Sequence, residues 1–125
     1  MNANNIWYAV MKDRQDDDWG FGSADRDEAE KMVVNWIDTY PDAYIAVIEG
    51  GEDPVCVEEI TPEDFSPVYM YAARIVRAHD WDGTQDDIAA LARWLDMEDA
   101  WKAADGDTWE NVLRDMGKKI GVELI

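Results

Sequence analysis

Asp80 and Asp82, followed at once by Gly83, are spaced to hold a hard cation, since alternate carboxylates ahead of a glycine turn can converge on one ion. A helix–loop–helix calcium site wants oxygen ligands at its first, third and fifth positions, glycine at the sixth and glutamate at the twelfth. Setting Gly83 sixth puts Ala78 first and Ala89 twelfth, and setting Gly106 sixth puts Ala103 third. The spacing therefore supports weak divalent binding to an acidic surface and no dedicated metal site. His79 and Cys56 are the sole residues of their types, too few for a zinc site or a histidine-based triad. Cys56 falls in an expected strand, where a buried structural thiol is the ordinary role. Gly20-Phe-Gly22 has no lysine or helix start in the frame a phosphate loop needs.

Asp80-Trp-Asp-Gly-Thr84 also resembles the first motif of haloacid-dehalogenase-like phosphohydrolases. That resemblance implies Asp80 as nucleophile and Asp82 as general acid, with a metal between carboxylates. The chemistry requires Asp80 at the end of a buried strand, whereas residues 71–79 read as helix. The 41 residues after Thr84 leave no room for the remaining motifs and a parallel sheet. Asp82-Gly83 with Thr84 as a cap reads instead as an interhelix turn. Neither catalytic residues nor a cofactor are expected, and the chain is read as no enzyme.

Charge carries more. Twenty-nine Asp and Glu face eleven Lys and Arg, a net charge of -18, while 47% of residues are hydrophobic and seven are Trp. The apolar content separates the chain from a disordered acidic tail. Residues 1–60 hold fifteen acids and four bases, and residues 61–125 hold fourteen and seven, so the charge is spread. Such a surface repels nucleic acid and acidic membrane faces and is drawn to basic protein surfaces. Neither a leader-like N-terminus nor an apolar run of about eighteen residues occurs, and one cysteine forms no internal disulfide. A reducing, cytoplasmic setting is expected.

The elements that must position these groups follow from periodicity. Residues 6–11 are apolar and rich in aromatic and β-branched types, as in a buried strand. Residues 19–23 read as a second, shorter strand after a polar loop. Asp25, with Glu28 three residues on, starts a helix whose face carries Ala29, Met32, Val33, Trp36, Ile37 and Tyr40, ended by Pro41. Residues 43–48 and 55–60 read as a hairpin broken at Gly50-Gly51. Helices follow over about 67–79, 85–96, 98–104 and from 108 onward, with caps at Ser66, Thr84 and Asp107 or Thr108. Residues 121–125 read as a tail or an edge strand. The fold class is α+β, a ββαββ antiparallel sheet with one covering helix (1–60) and a lobe of three to four helices packed on it (61–125), in one domain.

Trp7–Asp13, Asp18–Ser23, Glu28-Ala29, Tyr44–Ile48 and Cys56–Ile60 together resemble small acidic proteins of bacterial phages and integrative elements of the Firmicutes, over the N-terminal half. The resemblance implies counter-defence: such elements encode inhibitors of CRISPR effectors and restriction enzymes, some of which imitate DNA with carboxylate arrays.

Trp36, Tyr40 and Trp109 fall on apolar faces and are expected in the core, whereas Trp19, Trp81 and Trp101 stand among acids or in loops. An aromatic anchor ringed by charge is what a protein-binding surface uses. The expected contacts are Asp16, Asp17, Asp18 and Trp19 in the first hairpin loop, Asp80, Trp81 and Asp82, and Asp86 and Asp87 on the following helix. The expected partner is a basic protein surface, such as a nucleic-acid groove on a nuclease. The alternative is an assembly module whose acidity serves solubility.

Overall fold

A computed structural model of the chain describes residues 6–50, 52–78, 84–105 and 108–124. The chain runs β1 (Ile6–Met11), β2 (Gly22–Ser23), α1 (Arg26–Trp36), β3 (Tyr44–Glu49), β4 (Val55–Ile60), a 3-10 turn (Pro62–Asp64), α2 (Pro67–Ala78), α3 (Gln85–Trp94), α4 (Glu98–Ala103) and α5 (Trp109–Ile120). This is the expected α+β arrangement: a four-stranded antiparallel sheet in the first half and four helices in the second.

The strands lie in the order β2-β1-β3-β4. β1 and β3 pair along their whole length, from Ile6 with Glu49 to Met11 with Tyr44. Both strands are continuous apolar runs, and both of their faces are buried. On one face Val10, Ile45, Val47 and Ile60 pack against Ala29 and Val33 of α1 and against Phe65. On the other, Ala9, Met11, Tyr44, Ala46 and Ile48 are at most 5% exposed. The β1–β2 loop is tied to that second face. The Arg14 guanidinium lies 4.2 Å from the Tyr44 ring centroid and pairs with Glu59, and the Trp7 indole N–H donates to the Trp19 carbonyl at 2.9 Å. An antiparallel sheet ordinarily leaves one face wet, and here the loop stands in for a second layer.

Two edges remain. β2 is short and sits close against β1. Gly22 adopts φ +149°, and a β-carbon there would overlap the Tyr8 carbonyl oxygen, so the position requires glycine. β4 is exposed up to Ile60, and a bulge at Val57 interrupts its pairing with β3, since Val47 pairs with Glu58 and Ile48 with Cys56.

Asp25 caps α1 by accepting the Asp27 backbone N–H at 2.9 Å, and Asp27 and Glu28 favour the positive end of the helix. Glu28 turns to Lys31 (3.1 Å). The helix stops at Trp36, a turn before the expected end at Pro41. The Trp36 carbonyl then accepts the N–H groups of both Thr39 and Tyr40, and Tyr40 swings out to 36% exposure.

α1 is apolar on two sides. Ala29 and Val33 face the sheet, while Val34 and Ile37 join the helical core of Ala72, Ile75, Ile88, Leu91, Leu113 and Met116. Full burial of each large aliphatic chain contributes about 1.5–3 kcal/mol. Pro67 opens α2 with its φ already set. Gly121 ends α5 in the left-handed region (φ 76°). Residues 121–124 form no strand; Val122 and Leu124 are buried in the helical core. Asn35 of α1 holds this tail, accepting the Glu123 N–H at 3.1 Å and donating to the Gly121 carbonyl at 3.4 Å.

Glu30 is the one acid of α1 that is fully buried. Its carboxylate accepts from Arg26 Nε at 2.7 Å and from the Ser66 backbone N–H at 3.0 Å, while Arg26 also donates to the Asp64 carbonyl at 2.8 Å. The pair fastens α1 to the junction where the sheet gives way to the helices.

Candidate protein-binding surface at the first hairpin loop

Asp16, Asp17, Asp18 and Trp19 lie together in the β1–β2 loop, where the carboxylates have a structural task. Asp13 accepts the Gln15 N–H (2.8 Å), Asp16 accepts the N–H groups of Lys12 (2.9 Å) and Asp18 (3.0 Å), and Asp18 accepts that of Gly20 (2.8 Å). Asp side chains bond readily to backbone a residue or two on, so an acidic loop writes its own turns. The Lys12 N–H, foremost, holds the Asp16 carboxyl below the usual aspartate range. Asp17 is exposed.

Asp86 and Asp87 occupy the first turn of α3, where acids favour the helix start. Asp86 is exposed, whereas Asp87 pairs with Arg74 (3.4 Å), which also binds Glu63 at 2.6 Å. Arg74 lowers the Glu63 carboxyl below its ordinary value. Loop acids bond to loop backbone and Asp87 bonds to α2, so different elements hold the two groups. Asp80, Trp81 and Asp82 lie outside the described residues, as do His79 and Gly83. The segment leading to them is α2, a helix through Ala78, as the sequence suggests. Among the described residues no group of three or more His, Cys, Asp or Glu is arranged to hold a metal ion, and no helix is long and apolar enough to cross a membrane.

The aromatic side chains regroup. Trp19 is 36% exposed and Phe21, two residues on, is 49% exposed. Phe21 meets Trp36 edge-on, with centroids 5.5 Å apart and planes at 65°; Trp36 meets Tyr40 at 5.9 Å and 58°. Lys12 Nζ stands 5.3 Å over the Tyr40 ring. The ends of β1, of the loop and of α1 thus meet at one corner. Tyr40 is at the surface rather than in the core, because α1 ends before reaching it. Trp101 half-buries against the helical core, as does Trp109. Phe21 escapes notice in the sequence because Gly20-Phe-Gly22 reads as plain strand, and Trp94, at 58% the most exposed aromatic among the described residues, does not stand out there at all.

Cys56 is exposed, contrary to the buried thiol expected, because β4 is an edge strand; its Sγ lies 3.4 Å from the Glu58 carbonyl. Arg14, Arg26, Lys31, Arg74, Arg93 and Lys102 are engaged in ion pairs within the chain. No protein-family model matches the chain, nor does any curated protein or solved structure.

Proposed function

We propose that this chain is a non-enzymatic protein-binding module that docks on a basic protein surface through its first hairpin loop. One observation carries the reading: Trp19 and Phe21 are exposed at the end of an acidic loop whose backbone is fixed by its own carboxylates. A loop already ordered loses little entropy on binding, and a rigid aromatic anchor beside charge is the pattern of an interface hot spot. A net charge of -18 would steer it to a cationic partner and make association fast and salt-sensitive. In its most specific form, which draws on the phage-like resemblance, the partner is the nucleic-acid groove of a CRISPR or restriction nuclease and the module is its inhibitor, acting in the cytoplasm. Asp87, paired to Arg74, contributes less to such mimicry than the loop.

The rival reading is an assembly module with acidity as a solubility device. It is favoured by the β4 edge, where Val55 and Val57 are 50% and 52% exposed.

Capture of bacterial nucleases on the immobilised protein, washed at low and then high salt, separates the two. The docking reading expects capture released by salt, inhibition of the captured nuclease's cleavage, and loss of both in Trp19→Ala and in Asp17→Asn. Capture that survives salt and ignores both substitutions would overturn it.

A further inference from the structure

We infer that the corner formed by Phe21, Trp36 and Tyr40 is a docking notch for an extended cationic peptide segment, with arginine or lysine alternating with proline or another apolar residue. The inference rests on the protein-binding reading of the loop and names the partner's chemistry.

Trp36 is more buried than the rings on either side of it, and both stand steeply inclined to it. Such an arrangement is a shallow aromatic notch with exposed walls. Successive rings are 5.5 and 5.9 Å apart. A polyproline II segment has three residues per turn and rises about 3.1 Å per residue, so residues three apart share a face about 9 Å apart. In an alternating sequence these are one cation and one proline, and they can meet the two outer rings, which lie at most about 11 Å from each other. Aromatic-lined grooves take such segments because little entropy is lost in ordering them.

Charge selects the sign of the occupant. The notch continues into the acidic loop through Lys12, whose backbone N–H bonds Asp16 and whose ammonium covers Tyr40. Asp17 and Asp18 follow directly, and Asp42 stands exposed just beyond Tyr40. A cation already rests on Tyr40, so that ring face accepts one, and Lys12 holds the place an incoming arginine would take. A second copy of this chain, at -18, would be repelled, as would nucleic acid. The exposed β4 edge is a poorer dock, because its bulge and Glu58 and Glu59 guard it against added strands.

The test is fluorescence anisotropy with a labelled peptide of about ten residues alternating arginine and proline, compared with glutamate–proline and arginine–glycine versions. The arginine–proline peptide should bind and the other two should bind far more weakly. Phe21→Ala and Tyr40→Ala should each weaken it roughly tenfold, the usual loss for an anchor residue. Tyr40→Phe, which keeps the ring, should bind like the parent, as should Trp94→Ala, and melting curves would confirm that each variant is folded. Lys12→Met, which uncovers Tyr40, should tighten binding. Equal binding of the arginine–glycine peptide, or indifference to Phe21→Ala and Tyr40→Ala, would overturn the notch. Salt-sensitive capture of a folded partner that is lost in Trp19→Ala would in that case still uphold the loop reading.

Discussion

Replacing Glu30 by alanine should cost more stability than replacing any other acid of the chain. The side chain is 0% exposed and accepts two hydrogen bonds, from Arg26 at 2.7 Å and the Ser66 N–H at 3.0 Å. Breaking a fully buried ion pair costs about 3–5 kcal/mol, but the Arg26 side chain is 43% exposed and can turn to water, which reduces the loss. The Ser66 N–H is part-buried and fixed to the backbone, and leaving it unmet costs about 1–3 kcal/mol. Together these give roughly 3 kcal/mol for Glu30→Ala and about half that for Glu30→Gln, which keeps an acceptor for Ser66. In urea, with a slope of about 1.5 kcal/mol per molar, the alanine midpoint falls by roughly 2 M. Asp17→Asn is the control: it relieves the same repulsion at an exposed site and should shift stability by less than about 0.5 kcal/mol. A Glu30→Ala midpoint within error of the parent, or a glutamine variant weaker than the alanine one, would refute the assignment of Glu30 as a clasp.

Arg74 holds the Glu63 carboxyl below its ordinary range, so this pair stabilises the fold above the ordinary glutamate pKa and ceases to do so as pH falls through the lowered value. Arg74→Ala should therefore cost only about 0.5–1 kcal/mol at neutral pH, because the pair is exposed, and far less in acid below the lowered Glu63 value; urea midpoints at neutral and strongly acid pH that show an undiminished gap would contradict this. Gly22→Ala should destabilise by about 2 kcal/mol through the clash with the Tyr8 carbonyl, and hydrogen exchange should show the Val10 N–H, bonded to Phe21 at 2.8 Å, losing protection. Raising sodium chloride from about 20 mM to about 0.5 M should raise the melting temperature by screening self-repulsion; a fall would mean that the ion pairs outweigh it.

What the sequence makes legible is local. The apolar runs at 6–11 and 44–48, the Asp25 cap, Pro67 and the periodic faces of α2, α3 and α5 each depend on neighbours a few residues apart, and each element is found there. Glu30 is not legible, since an acid on a helix reads as solvent-facing and its partner Ser66 is 36 residues away. Strand order is likewise set by distant pairing, and that order leaves Cys56 on an open edge. At the loop the acids stand out in the sequence, but their bonds to backbone depend on turn geometry that composition does not carry. The Phe21–Trp36–Tyr40 corner needs the first hairpin loop to meet the end of α1, and the sequence marks Trp36 and Tyr40 only as a helix face bound for the core and Phe21 only as part of a strand.

The position of α1 between two cores also orders events in time. On the ribosome the sheet side of the helix finds its partners as soon as β3 and β4 emerge. Val34 and Ile37 must wait for Ala72 and Ile75 of α2, and Asn35 waits for a tail 86 and 88 residues later. Until α2 is made, a growing chain carries an apolar stripe with no cover, and the core around it closes only when the last helix and the tail arrive. Through that interval the same repulsion that strains the finished fold keeps neighbouring nascent chains apart.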